Sequence, residues 1–288
     1  MTSTTTSGRA PMTDGATISW TRLEGTVEAP PVVLLHGGPG LADGLRDVAP
    51  LVEGLAPVYR YDQRGTGGSP WEGRHTFALH IADLVELLDQ WGAERAVLIG
   101  HSYGASLASR FVLAHPDRVA ALLLLCGPNV GDWRAGYQAE RDRRMTAVQQ
   151  ERLRTLQKLP ERTEEQETEL LTLSWFTDHA DLERGWEWAA QSAATRRANR
   201  PMNAELGKEG HADLLDDHLD EIRACLPAKT EILSGVCDPR PIACLEELAA
   251  RWRVPLTRIE DAGHEPWLEQ PETVRGHLRR FVHTAVTE

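Results

Sequence analysis

Short apolar runs punctuate the first half of the chain at Pro31 to Leu35, Val58 to Tyr61, Ala96 to Ile99 and Ala121 to Leu125. Several do not alternate with polar residues, a pattern that predicts parallel strands buried on both faces. Between them, His80 to Trp91 places Ile81, Leu84, Val85, Leu87 and Leu88 on one broad face, as in a helix packed on a sheet. Ahead of these, Ala16 to Leu23 reads as an antiparallel edge strand. Met1 to Met12 is rich in Thr and Ser, has no apolar core, and is expected to be a disordered tail over residues 1–12.

The strand pattern then stops. From Pro128 to Leu226 the chain is rich in Arg, Glu and Gln, with Met145, Val148, Leu153, Leu156 and Leu159 at helical spacing. Pro160 interrupts this, Leu170, Leu171 and Leu173 resume it, and Trp175, Trp186 and Trp188 follow. Glu161 to Glu169 reads as a solvated helix face or loop. Alternation returns with a strand at Thr230 to Leu233, a helix at Pro241 to Trp252, a strand at Leu256 to Ile259 and a helix at Glu272 to Val282. The predicted organisation is an α/β core, residues 13–127 and 227–288, with a helical insertion over residues 128–226.

A length of 288 residues suits one such domain with an insertion, and the net charge of −12 speaks against a nucleic-acid or anionic-membrane partner. No apolar run approaches the about 18 residues of a membrane span. Cys126, Cys225, Cys237 and Cys244 have no Cys-x-x-Cys spacing, so they read as reduced thiols of a cytoplasmic protein. His211 and His218 lack a zinc-like spacing, and neither a metal nor a cofactor is implied.

Chemistry concentrates at Gly100-His101-Ser102-Tyr103-Gly104. An apolar strand precedes this Gly-x-Ser-x-Gly turn, and Ala105, Leu107, Ala108, Phe111 and Val112 follow at helical spacing, the context a nucleophile elbow requires. A serine needs an adjacent base, and that base needs an orienting acid. Asp238 lies just past one predicted strand and His264 just past the next. Both therefore emerge with Ser102 at the carboxyl edge of the sheet, where open α/β sheets place their sites. Asp132 is the alternative acid, and His101 is expected to point away from the site. The loop His36-Gly37-Gly38-Pro39-Gly40 follows the first core strand, so the backbone N–H groups of Gly38 and Tyr103 are the candidate oxyanion donors.

With these residues the chain resembles the α/β-hydrolase fold, and within it the proline iminopeptidase family. The resemblance is carried by His36 to Gly40, Asp62-Gln-Arg-Gly-Thr-Gly-Gly-Ser69, Gly100 to Gly104, Asp238 and Ala262-Gly-His264. It implies a mostly parallel central sheet flanked by helices, with an inserted helical cap. It also implies cleavage of an N-terminal residue, often proline, with cap carboxylates recognising the free amino group. Asp62 to Gly65 carries over as a structural turn. Met202-Asn203 matches a cap motif, but Gly207 stands where the recognition glutamate would align, with Glu205 and Glu209 close by. Pro239 follows the candidate acid where some members carry a second glutamate. Glu183, Glu187 and Glu205 are the candidate cap carboxylates. Gly37, Glu205, Trp175 and Trp186 are the expected substrate contacts, the tryptophans serving equally well as core of the cap.

The expected partner is a small-molecule or short-peptide substrate. An ester, lactone or thioester substrate stands beside the peptide reading, and a non-hydrolytic reaction or a ligand-binding module remains open on the same fold. An epoxide hydrolase or dehalogenase would need a carboxylate where Ser102 stands.

Overall fold

The computed structural model describes residues 4–25 and 29–287. Among these, strands β1 (Thr5–Pro11), β2 (Thr17–Leu23), β3 (Val32–Leu35), β4 (Val58–Tyr61), β5 (Ala96–His101), β6 (Val119–Leu125), β7 (Thr230–Gly235) and β8 (Leu256–Ile259) form one sheet. Their order is β1-β2-β4-β3-β5-β6-β7-β8. The pairs β1/β2 and β2/β4 are antiparallel, and β3 to β8 join in parallel.

The parallel strands bury both faces because side chains alternate across the pleat. Val33, Leu35, Leu98, Leu122, Leu124 and Ile232 face one layer, which includes α1 (Phe77–Gln90), α2 (Tyr103–Ala114), α8 (Leu219–Cys225) and α9 (Ile242–Trp252). Val32, Leu34, Val97, Ile99, Leu123, Leu125 and Leu233 face the other, closed by α11 (Pro271–Thr287) through Val274, Leu278, Phe281 and Val282. At about 1.5–3 kcal/mol per fully buried aliphatic side chain, these two layers are the main source of stability.

Residues 5–11 correct the expectation of a disordered tail. They form β1, paired with β2 from Thr5↔Leu23 to Pro11↔Thr17. The hairpin is closed at Thr13-Asp14-Gly15: Asp14 accepts from the Ala16 N–H at 3.1 Å, and Glu86 accepts from the Thr13 N–H and hydroxyl at 2.8 and 2.7 Å. Backbone pairing, not side-chain burial, orders this polar edge strand, although Ala10 and Met12 do reach the core. Residues 1–3 lie outside the described part of the chain.

Between β6 and β7 the chain is helical: α3 (Trp133–Arg144), α4 (Ala147–Lys158), α5 (Glu164–Trp175), α6 (Leu182–Thr195) and α7 (Arg200–Ala212), then α8. Met145, Leu153, Leu156, Leu170, Leu173, Phe176 and Ala189 form a separate small core. Capping boxes at Thr146/Gln149 and Thr163/Gln166 start α4 and α5, satisfying N–H groups that a helix leaves open. The last helical turn before α11 is α10 (Pro266–Glu269).

Candidate active site

Ser102 sits at the junction of β5 and α2 with φ 55° and ψ −118°, a left-handed conformation costly for a side-chain-bearing residue. Its N–H donates to the Leu125 carbonyl at 2.9 Å, tying the turn to β6. The flanking glycines are needed for space: a Cβ on Gly104 would lie 2.0 Å from the Leu35 carbonyl oxygen. Burial of β5 and α2 on both sides holds this strained turn in place.

Asp238 follows β7 and His264 follows β8, and the two meet. His264 Nδ1 donates to Asp238 Oδ2 at 2.5 Å. Asp238 Oδ1 accepts from the Arg240 N–H at 2.9 Å and from Arg240 Nη1 at 3.1 Å. Burial would raise the Asp238 pKa, but the charges of His264 and Arg240, with these hydrogen bonds, hold it well below the ordinary carboxylate value. The second carboxylate on Arg240 is Asp178, 3.1 Å from Nη1, and the guanidinium lies over the Tyr137 ring at 4.7 Å. Asp132, the alternative acid, is the residue ahead of α3 and is not joined to His264.

The His264 loop is pinned to the cap. The His264 N–H donates to the Asp178 carbonyl at 2.7 Å. Glu269 accepts from the Gly263 N–H at 2.6 Å and from the Ala180 N–H at 2.8 Å, bridging both segments. Buried His179 lies 3.9 Å from both Glu265 and Glu269. Burial alone would lower its pKa, but these two carboxylates raise it.

Ser102, His264, Gly37 and Gly38 line one cavity of about 160 Å³ beneath the cap, together with Trp175, Asp178, Arg196, Arg240 and Glu265. The loop carrying Gly37 and Gly38 is fixed from behind: His36 Nε2 accepts from the Gln63 N–H at 3.0 Å, and Gln63 Nε2 donates to the His36 carbonyl at 2.9 Å. Asn203 Nδ2 donates to the Pro39 carbonyl at 3.0 Å, so the Met202-Asn203 motif docks the cap onto this loop. Tyr103 contributes its N–H as the first residue of α2, a position whose N–H has no partner within the helix. Its side chain packs away from Ser102, stacked on Phe77 at 6.1 Å.

Four expectations change. Glu205 does not face the cavity: its carboxylate accepts from the His75 N–H at 2.6 Å, while Glu209 accepts from the Phe77 N–H at 2.9 Å. Both glutamates fasten α7 to the start of α1. Trp186 is 39% exposed and meets Phe176 edge-on, which takes it out of the cavity and leaves Trp175 as the tryptophan lining it. His101 does not point away. Its Nε2 donates to the His264 carbonyl at 3.0 Å, its ring packs 4.7 Å from that of His264, and burial keeps it neutral. Glu183 and Glu187 are exposed on α6, also outside the cavity.

Cys126, Asp238 and His264 present donor atoms within 4.8 Å of one another. A cation there would have to displace the hydrogen bond between Asp238 and His264, and burial pushes the Cys126 thiol pKa up, so the thiol stays protonated. The cluster is better described as an Asp–His pair with a thiol beside it. All four cysteines are free. Among the described residues no helix is long and apolar enough to cross a membrane.

Residues 30–221 match the model of the alpha/beta hydrolase fold family. The chain belongs to that family. Relatives by sequence include epoxide hydrolase A of Mycobacterium tuberculosis, 46% identical over 104 residues, which are 35% of this chain and 32% of that protein. Lipase LipV of the same organism is 41% identical over 69 residues, 24% of this chain and 26% of that one. The chain thus spans about a third or less of the length of these relatives. Solved structures of similar fold include a proline iminopeptidase-related protein from Thermus thermophilus, with TM-score 0.70, 22% identity and 98% of each chain covered. The proline iminopeptidase of Mycobacterium smegmatis superposes with TM-score 0.73 at 17% identity, covering 97% of this chain and 98% of that one. A thermophilic esterase from Thermogutta terrifontis gives TM-score 0.71 at 24% identity over 98% of this chain and 100% of its own. At these identities the likeness to the solved structures is one of fold.

Proposed function

We infer that the protein is a cofactor-independent serine hydrolase that cleaves a small ester or amide through an acyl-enzyme. The observation that carries this reading is the His264–Asp238 hydrogen bond at 2.5 Å beside a cavity that Ser102 and His264 share. Ser102 Oγ attacks the substrate carbonyl while His264 Nε2 takes its proton. Asp238 holds the imidazole with Nδ1 protonated and Nε2 free to accept. The N–H groups of Gly38 and Tyr103 receive the developing oxyanion, a contribution of about 2.7–4 kcal/mol per donor in comparable sites. His264 then protonates the leaving alcohol or amine, and water activated by His264 releases the acid. Serine at position 102 separates this chemistry from that named for the epoxide hydrolase relatives, for which the nucleophile would be a carboxylate.

Ester cleavage is favoured over removal of an N-terminal residue. A buried ammonium group requires a free carboxylate, and the expected one, Glu205, is spent on the His75 N–H. Asp178 does line the cavity, but its carboxylate is already paired with Arg240. The aminopeptidase reading stands second, supported by Glu265, which lines the cavity with its side chain 23% exposed, and by the fold of the proline iminopeptidases.

Hydrolysis of a short-chain 4-nitrophenyl ester beside proline 4-nitroanilide, with Ser102→Ala as control, tests both readings. Ester turnover that vanishes in the variant is the expected result. Arylamide turnover would promote the second reading, and no turnover of either by folded protein would contradict the first.

A further inference from the structure

The cations around the cavity are not equivalent. Arg240 sits between Asp178 and Asp238, each 3.1 Å from Nη1, so its charge is already more than offset by the protein's own carboxylates. Protonation of His179 is favoured by the carboxylates of Glu265 and Glu269. Arg196 is different. Among the described residues it has no ion-pair partner, and its one side-chain acceptor is the Ser192 hydroxyl, 3.0 Å from Nη1. Its Nε is buried without a hydrogen-bond partner.

Arg196 is nonetheless held in place. It follows directly after α6, its guanidinium lies 5.5 Å from the centre of the Trp175 ring, and it packs on the backbone of Gly44. A Cβ at Gly44 would come within 2.8 Å of Nη2, so the loop after the Gly37-Gly38 turn is shaped to admit this head group. The result is a half-buried, pre-positioned guanidinium on the wall of the same small cavity that holds Ser102 and His264. A planar guanidinium with open N–H groups matches a carboxylate in a two-point, charge-assisted contact, which is stronger and more directional than a neutral hydrogen bond.

We propose that the catalytic cavity takes substrates bearing a carboxylate, which Arg196 binds while Ser102 attacks a carbonyl elsewhere in the same molecule. This rests on the serine-hydrolase reading above and narrows its substrate class to esters or amides of acidic small molecules. Arg196 is here a specificity residue. A cavity of about 160 Å³ limits such a substrate to one with a short chain between the two groups.

The test compares matched pairs of substrates with the purified protein. With the carboxylate on the acyl side, 4-nitrophenyl hydrogen adipate is set against 4-nitrophenyl hexanoate. With it on the leaving group, 4-acetoxybenzoate is set against its methyl ester. We expect kcat/KM to favour the anionic member of one pair by roughly tenfold to a hundredfold, the range for a hydrogen bond to a charged group. That ratio should fall towards one in Arg196→Gln and be partly restored in Arg196→Lys. Should the glutamine variant not fold, inhibition of neutral-ester turnover by adipate but not by adipamide, in the unaltered protein, carries the same information. Turnover of the neutral esters with no preference in either pair and no inhibition by adipate would overturn the proposal while leaving the serine hydrolase standing. Failure to turn over any of the esters would instead count against the serine-hydrolase reading.

Discussion

Arg240 Nη1 lies 3.1 Å from Oδ1 of Asp238, the carboxylate whose other oxygen accepts from His264. In the proposed mechanism Arg240 is a positioning residue: it holds the Asp238 carboxylate that holds His264. Removing its charge leaves Asp238 with one fewer donor and lifts part of the hold that keeps its carboxyl pKa low. For Arg240→Gln we expect kcat/KM to fall about tenfold to a hundredfold. The acid-side limb of its pH profile should move to higher pH, with partial recovery in Arg240→Lys. A drop in activity with an unmoved limb would mean that Arg240 acts only on the packing against Tyr137.

Much of this site was legible in the chain because its parts sit at strand ends. Ser102, Asp238 and His264 each follow an apolar run, and the parallel sheet delivers all three to one edge. Of the residues that shape the cavity from the cap, Trp175 was expected, but most were not legible. Asp178, Tyr137 and Arg196 come from separate helical segments, and spacing within a helix does not say which face meets the core. Arg240 carried a weak signal in the run Asp238-Pro-Arg. Glu205 misled because a carboxylate near a cap motif serves equally well as an anchor for backbone N–H groups. β1 was missed because it has no apolar alternation, although Thr13-Asp14-Gly15 is a recognisable turn between two Thr-rich stretches.

Glu205→Gln separates anchoring from recognition. Glutamine keeps an oxygen that accepts from the His75 N–H and removes only the charge, so stability, read from the denaturant midpoint, should fall by no more than about 1 kcal/mol. The substitution should change KM for esters and for amino-acid arylamides by less than about twofold, the size expected for a change away from the site. A selective loss of arylamide binding would restore Glu205 as a recognition residue.

Arg64 is almost wholly buried, with Asp83 bonded to its Nε at 3.0 Å and Nη2 at 2.5 Å, and Asp14 to its Nη1 at 2.6 Å. It joins the Asp62–Ser69 turn behind the Gly37-Gly38 loop to α1 and to the β1–β2 hairpin. Asp83→Ala strands most of that buried charge. We expect a loss of about 3–5 kcal/mol in unfolding free energy, the cost of breaking a buried pair from one side. Thermal or denaturant unfolding checks it, and a loss below about 1 kcal/mol would show that Asp14 alone suffices.

Glu231 on β7 accepts from His277 Nε2 at 2.9 Å and from Lys229 Nζ at 2.6 Å, stapling α11 to the sheet. The His277 hydrogen bond, then Lys229, lowers its pKa to about 2 against the burial that would raise it. A carboxylate depressed on folding contributes stability above its unfolded pKa, near 4.3, and loses it as pH falls towards the folded value. Glu231→Gln should therefore be less stable than the parent at pH 7, with the gap closing between about pH 4.3 and pH 2. Equal stabilities at pH 7 would contradict this account.

If Ser102 is the nucleophile that becomes acylated, it should react with a fluorophosphonate probe. Intact-protein mass should show one adduct per chain, mapped by peptide mass to Ser102, absent in Ser102→Ala and strongly slowed in His264→Ala. A folded protein left unlabelled at Ser102, or a Ser102→Ala variant that keeps its turnover, would rule out Ser102 as the nucleophile.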